Sequence, residues 1–273
     1  MHMLTVILVG LVMGSTVSIG QTIGSGDRKK AANAVGNTAT LFLFFSGVLT
    51  AILLLSVRSV VALISTPEEA VSGTVAYLTI CFIGIPFITA YNVISSVFRG
   101  MGDSKSPMYF IAVACVTNTA LDYLFIGLLH MGPAGAALGI TLSQAVSVVV
   151  SFVAMKKRKT GISPQKSDFK PRRAVMGENL KIGVPIALQD GLIQVAFIGI
   201  TVIANNRGLN DAAAVGIVEK IIGFLFLIPS SMLSAVSALG AQNIGAKKPE
   251  RAVKTLRYAA MLAAGFGVFV SIL

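Results

Sequence analysis

Eight apolar segments of membrane-spanning length constrain this chain more than any other feature of its sequence. A bilayer core about 30 Å thick is crossed by roughly 20 apolar residues in an α-helix. The segments run over approximately residues 3–20, 38–57, 71–97, 107–130, 133–155, 180–204, 212–240 and 255–273. Only 12% of the residues are charged, against roughly 25% in soluble domains. We therefore predict an all-α polytopic membrane protein.

The basic residues are concentrated in every second loop between these segments. Of the 22 Lys and Arg residues, 19 lie in four loops, at 21–37, 98–106, 156–181 and 241–257. Loops rich in Lys and Arg face the cytoplasm, so we predict these four on the cytoplasmic side of a plasma (inner) membrane. The net charge of +11 then reflects membrane topology. The expected partner is the lipid bilayer, and a nucleic-acid partner is not expected.

A short motif recurs at a constant offset of 221 residues. Gln21-Thr-Ile-Gly24 and Gln242-Asn-Ile-Gly245 each follow an apolar segment and open a basic loop. An even number of predicted spans separates the two copies, which indicates parallel repeats about an axis along the membrane normal. Two such repeats would hold about twelve spans, so we expect one span before Met1 and about three after Leu273. A chance match of a glycine-containing loop is the alternative.

The repeat suggests a division of the chain into two lobes. We predict an N-lobe at 1–155 with spans 2–6 of the full set, a basic cytoplasmic linker at 156–179, and the first half of a C-lobe at 180–273 with spans 7–9. The charge of the linker is explained by topology and contact with anionic lipid. Proline inside a span removes a backbone hydrogen bond and favours a kink, which we predict at Pro86, Pro185 and Pro229.

An acidic residue inside an apolar segment marks the first candidate site. Asp122 lies within the segment 107–130, where ionisable groups usually line a substrate or ion path. Asn118 lies four residues earlier, on the same helix face. Measured from the predicted turn near Met131-Gly-Pro133, Thr141 and Asp122 are about equally far in sequence, which predicts a common depth. These oxygens suit Na⁺, or a proton on the acid; the alternative is an Asp satisfied by its neighbours without turnover.

A second polar group follows Pro185 in the next lobe. Asp190, with Gln189 and Gln194, is predicted to line a substrate cavity, and a position near the membrane interface is the alternative. Glu219 is interpreted as a local pair with its neighbour near a helix end. We expect no cofactor, and the motifs of intramembrane enzymes do not occur in the sequence.

Four motifs together resemble the multidrug and toxic compound extrusion (MATE) family over nearly the whole chain. They are Val97-Phe-Arg99-Gly-Met-Gly102-Asp-Ser…Pro107, Asn118-Thr-Ala-Leu-Asp122, Gly183-Val-Pro185-Ile-Ala and Ala241-Gln-Asn-Ile-Gly-Ala246. The resemblance implies a twelve-helix fold of two six-helix lobes (6+6 parallel repeat) around a V-shaped cavity. It also implies export of cationic or amphipathic drugs or toxic metabolites, by a protein expected to act as a monomer, in exchange for H⁺ or Na⁺.

The resemblance extends to the candidate residues. In one branch of the family Asn118 and Asp122 match the coupling site of the N-lobe, and Thr141 matches a sixth-helix Thr with one residue of difference in spacing. The first-helix Asp of that site has no counterpart in this chain. The seventh-helix Glu of other branches is absent at its expected distance from Pro185, where Asp190 and Gln194 flank the place. A lipid-linked oligosaccharide flippase and a non-functional transporter fragment are the alternatives.

Overall fold

The computed structural model describes residues 2–63, 68–157, 162 and 164–272. The predicted lobes and linker also include residues that lie outside the described ranges, namely 1, 64–67, 158–161, 163 and 273. Over the described ranges the chain is helical and contains no strand. The α-helices are α1 (His2–Gly24), α2 (Arg28–Leu55), α3 (Val57–Leu63), α4 (Glu68–Ile83), α5 (Ile85–Gly100), α6 (Lys105–Asp122), α7 (Gly132–Lys157), α8 (Arg173–Arg207), α9 (Leu209–Leu225), α10 (Leu227–Gly245) and α11 (Pro249–Ile272).

Eight helical segments are long and apolar enough to cross a membrane. They correspond one to one with the predicted segments, so the prediction of an all-α polytopic membrane protein is confirmed. Large apolar side chains are exposed along them, for example Leu192 at 69% and Phe224 at 74%. Exposed apolar surface of this extent is typical of a protein covered by lipid or by other helices.

Two of the predicted spans are broken in the middle. The span around Pro86 consists of α4 and α5, which are separated at Gly84. The span around Pro229 consists of α9 and α10, which are separated at Phe226. Proline near the start of a helix is tolerated because the first N–H groups have no partner within the helix. Pro185, by contrast, lies inside the continuous helix α8.

The chain divides into two compact units, and the first contains residues 29–98 and 103–176. In this unit α6 and α7 pack against each other, and the connection between them begins with a π-helical turn at Tyr123–Leu128. Ser147 donates a hydrogen bond from Oγ to the carbonyl oxygen of Phe110 at 2.9 Å, and the Phe110 ring meets that of Phe98 edge-on with centroids 5.4 Å apart. The small residues of α7 therefore let its backbone approach α6 closely.

The second unit contains residues 2–28, 99–102 and 177–273, so α1 packs with α8–α11. Glycines make the contact between α1 and α8 possible. A β-carbon added to Gly14 would clash with the carbonyl oxygen of Asn179, and one added to Gly183 would clash with that of Leu11. The predicted lobe boundaries stay a prediction, and the contacts of α1 lie with the C-terminal helices.

The two copies of the repeated motif meet within this second unit. A β-carbon on Gly24 would clash with the carbonyl oxygen of Gln242, and one on Gly245 would clash with the carbonyl oxygen of Gln21. The ends of α1 and α10 thus cross through two equivalent glycine contacts. Each copy makes the contact that the other makes, as an internal repeat about a twofold axis requires.

The backbone after each copy repeats as well. Gly26 and Lys247, which are 221 residues apart, both have a positive φ, of 74° and 56°. Gly26 N–H donates to the carbonyl oxygen of Ile23 at 3.0 Å, and Lys247 N–H donates to that of Ile244 at 3.0 Å. The same helix-ending turn is therefore built with glycine in one copy and with lysine in the other.

Candidate functional site

Asp122 is the last residue of α6 and adjoins the π-helical turn Tyr123–Leu128. The turn ends with a hydrogen bond from the N–H of Leu129 to the carbonyl oxygen of Leu124 at 2.9 Å. Short π-helical turns inside α-helices occur frequently at functional sites. The sequence gives no signal for this turn, because its residues are as apolar as those of an ordinary span.

The carboxylate of Asp122 points at α7. Its Oδ1 lies directly against Gly139, where an added β-carbon would clash with it, and Nδ2 of Asn118 would lie 3.3 Å from that same β-carbon. Within the described residues, Oδ1 of Asp122 and Nδ2 of Asn118 are buried and make no hydrogen bond. An unpaired buried carboxylate oxygen is costly. Asn118 and Asp122 are thus brought together, as their spacing predicts.

Thr141 contacts a different helix. Its hydroxyl donates to the carbonyl oxygen of Ile80 at 3.3 Å on α4, and a β-carbon on Gly84 would lie 2.8 Å from its Oγ1. The structure places the Thr141 hydroxyl against α4 and the Asp122 carboxylate against Gly139, so a site shared by the two stays a prediction. Gly139 and Thr141 are two residues apart on one helix and therefore point in nearly opposite directions.

Asp190 lies at the contact between α1 and α8. Its Oδ2 would be 3.1 Å from a β-carbon on Gly10, and the backbone of Ala187 packs on the same glycine. Gln194, one turn further on the same helix, is half-buried, whereas Gln189 is exposed. Asp190 therefore lies in a packed contact between α1 and α8, whereas the side chain of Gln189 is exposed and takes no part in that contact.

Glu219 is a further acid, half-buried, which does not form the local pair with its neighbour that the sequence suggested. It lies within α9, inside the membrane span Ala213–Gly245, and its Oε1 accepts a hydrogen bond from Oγ1 of Thr201 on α8 at 2.7 Å. The neighbour Lys220 is exposed. The distance of Glu219 from the charged residues at the helix ends was the signal that could have identified it.

The acidic side chains of the described residues do not gather in groups of three or more. Within the described part of the chain, no group of three or more His, Cys, Asp or Glu side chains could hold a metal ion. Hard cations are bound by several oxygen ligands at once. Asp122 and Asn118 supply two side chains, and the hydroxyl of Thr141 donates its proton to the carbonyl oxygen of Ile80 on α4. A carboxyl group alone is enough to take up and release a proton.

The fold and these acids define a polytopic α-helical membrane protein with ionisable residues inside its spans. Comparison with known proteins gives the family. Residues 1–124 and 185–273 match the family model MatE, which is most of the chain. The chain belongs to the MatE family, a family of membrane transporters.

The relatives agree with that membership. The chain is 30% identical over 260 residues to the probable multidrug resistance protein YoeA of Bacillus subtilis, with 91% of this chain and 55% of that protein covered. It is 27% identical over 278 residues to the probable multidrug resistance protein NorM of Thermotoga maritima, with 98% and 58% covered. The chain therefore spans little more than half the length of these curated relatives.

A solved structure shows the same fold. A MATE transporter crystallised in complex with MaD3S superposes with a TM-score of 0.87 at 24% sequence identity, and the match covers 98% of this chain and 61% of that one. This confirms the predicted MATE-type fold.

Proposed function

We propose that this chain acts as a cation-coupled antiporter that exports cationic or amphipathic compounds across the plasma membrane. The observation that carries the proposal is the Asp122 carboxylate, which lies at the end of α6 with a buried oxygen that makes no hydrogen bond within the described residues. A charge held there without a partner is costly, so binding of a cation is strongly favoured. The multidrug resistance proteins among the relatives support the choice of substrate class.

The geometry supports H⁺ as the coupling ion. Gly139 leaves room for the carboxylate of Asp122 and adds no ligand of its own. Thr141, the third oxygen proposed for Na⁺, bonds to the backbone of α4. Since a proton needs one carboxylate oxygen and Na⁺ needs a shell of oxygens, the donors present fit a proton better.

Two acids in the second unit also support cation transport. Glu219 is bonded to Thr201 at 2.7 Å inside the α8–α9 pair, and Asp190 lies at the contact with Gly10. We propose that these two acids attract the cationic substrate or take part in proton exchange. Acidic residues inside spans act in these roles in pumps and transporters.

The test is efflux of a cationic dye such as ethidium from bacteria that lack their own exporters. Cells that express the chain should retain less dye than cells that carry the empty vector, and Asp122→Asn should raise retention to the vector level. The matched control is Asp211→Asn, because Asp211 is an exposed partner of Arg207 at 3.1 Å whose ion pair contributes little.

Two outcomes would count against the proposal. Dye retention at the vector level with the unaltered chain, at equal expression in the membrane, would show that this chain does not transport by itself and would favour a non-functional fragment. Efflux by Asp122→Asn at the level of the unaltered chain would remove Asp122 from the mechanism.

A further inference from the structure

The segment between α7 and α8 is held against α2 by a fully buried amide. Asn37 is 0% exposed. Its Nδ2 donates to the carbonyl oxygen of Asp168 at 3.0 Å, and its Oδ1 accepts from the N–H of Arg172 at 2.6 Å. Because both polar groups of one buried side chain bond to the segment, residues 168–172 are fixed on α2 instead of running free as a linker.

Two further contacts bring the backbones of the segment and of α2 together. A β-carbon on Gly36 would lie 2.5 Å from the carbonyl oxygen of Asp168. Thr40 donates from Oγ1 to the carbonyl oxygen of Phe169 at 2.8 Å. The segment therefore crosses α2 between Gly36 and Thr40.

This crossing lies where α2 enters the apolar part of its span. The helix begins with Arg28-Lys-Lys and becomes continuously apolar from Leu41 to Phe45. Leu43 and Phe44 are each 73% exposed, as expected of side chains that face lipid tails. A segment docked at residues 36–40 consequently lies at the level of the lipid headgroups, where amphipathic and basic side chains concentrate.

In the docked segment the acidic side chain is buried and the basic side chains are exposed. Asp168 is 7% exposed, and its Oδ2 accepts a hydrogen bond from the N–H of Gln165 at 2.8 Å. The side chains of Lys166, Lys170 and Arg172 are exposed and make no ion pair within the described residues. The outward charge of the segment is therefore uncompensated and positive.

An aromatic ring lies among these cations. Phe169 is 43% exposed, although its carbonyl oxygen is bonded to α2. Exposed aromatic rings at the membrane interface sit at headgroup level. We propose that the linker face, formed by Lys166, Phe169, Lys170 and Arg172, is a docking surface for the headgroups of anionic phospholipids. This inference does not depend on transport, because it concerns lipid binding alone.

The chain contains no Trp, so a single Trp can report on this surface. The variant Phe169→Trp is reconstituted in vesicles that contain equal fractions of phosphatidylglycerol and phosphatidylcholine. Only one of the two lipids is brominated in each preparation, on acyl carbons close to the headgroup, because bromine quenches Trp fluorescence on contact. Because each basic residue near an anionic surface attracts the lipid several-fold, we expect brominated phosphatidylglycerol to quench at least about twofold more than brominated phosphatidylcholine.

Two triple variants of the reporter protein test which cations are responsible. Changing Lys166, Lys170 and Arg172 to Gln should bring the ratio of the two quenching values to about one. The substitution of Arg172 leaves its backbone N–H, and with it the bond to Asn37, in place. Changing Lys247, Lys248 and Lys254 to Gln removes the same charge from exposed positions in the turn before α11 and in its first two turns and should leave the ratio unchanged.

Three outcomes would overturn the proposal. Equal quenching by both brominated lipids in the reporter protein would show that the linker face does not select anionic lipid. A preference that survives in the linker triple variant would show that these three cations do not set it. A preference that is lost equally in both triple variants would show that net charge alone sets it. Loss of the preference on addition of millimolar inorganic phosphate would identify a site for free phosphate instead of a lipid surface.

Discussion

Oδ1 of Asp122 lies directly against Gly139, so a glycine of α7 leaves room for the candidate coupling acid. Asn118 reaches the same glycine from one turn earlier on α6. Any side chain at residue 139 must therefore displace the carboxylate. This contact links the packing of two helices to the position of the acid that we propose as the ion carrier.

The first prediction follows from that contact. Gly139→Ala should reduce dye efflux by at least about tenfold, because the added methyl group forces the Asp122 carboxylate off its position, and misplacing a reacting group is costly. Overpacking should also lower the free energy of unfolding by about 1–3 kcal/mol. Efflux assays and thermal unfolding in detergent measure the two effects.

Gly47→Ala is the control for this prediction, since no atom lies within 4 Å of its added β-carbon. Equal efflux by the Gly139→Ala and Gly47→Ala variants would contradict the role of the contact.

The crossing of the repeated motifs gives the second prediction. Gly245→Ala should lower the free energy of unfolding by about 1–3 kcal/mol, because its β-carbon meets the carbonyl oxygen of Gln21, which belongs to the backbone and cannot rotate away. Gly24→Ala should have a similar effect through Gln242. Gly240→Ala, which meets no atom within 4 Å, should instead be neutral or stabilising. If Gly245→Ala unfolds at the temperature of Gly240→Ala, the close contact does not exist.

The third prediction concerns the turn after the second motif. Lys247 has a φ of 56° at a position where its counterpart in the first repeat is glycine. A left-handed backbone costs a non-glycine residue about 1–2 kcal/mol, part of which is offset by the flexibility that glycine adds to the unfolded chain. Lys247→Gly should therefore raise the free energy of unfolding by about 0.5–1 kcal/mol. The reverse change, Gly26→Lys, should lower it; the opposite sign in either variant would contradict the equivalence of the two turns.

The fourth prediction concerns the bond between Thr201 and Glu219. Thr201→Val, Glu219→Met and the double variant form a cycle that isolates the interaction from the separate effect of each change. We expect a coupling energy of about 0.5–3 kcal/mol in unfolding free energy, because contacting residues in one hydrogen bond are not additive. Denaturation of the purified protein measures it. Additive single changes would show that the 2.7 Å bond contributes no stability.

Much of the fold follows from the sequence, because spans in a membrane must be apolar and helical. All eight segments are therefore visible as runs of apolar residues. The breaks at Gly84 and Phe226 are signalled by Pro86 and Pro229, whereas Pro185 sits in a continuous helix. Proline marks where a break is tolerated, and the packing of neighbouring helices decides whether it occurs.

The site was predicted less completely than the fold. Asn118 and Asp122 could be paired, because residues four apart share a helix face. The partner on α7 could not be predicted by counting residues from the turn. The π-helical turn Tyr123–Leu128 fits more residues into each turn than an α-helix does, which shifts the residue opposite Asp122 from 141 to 139. That shift of two residues also turns Thr141 to another face of α7.

Proteoliposomes that contain the purified chain and a trapped cationic dye test the central claim most directly. Release or uptake of the dye is measured while either a proton gradient or a Na⁺ gradient is imposed across the vesicle membrane. We predict dye movement in exchange for protons, little movement with Na⁺ alone, and none in either gradient for Asp122→Asn. Dye exchange that Na⁺ drives as well as protons do, or that persists in Asp122→Asn, would contradict proton coupling through Asp122.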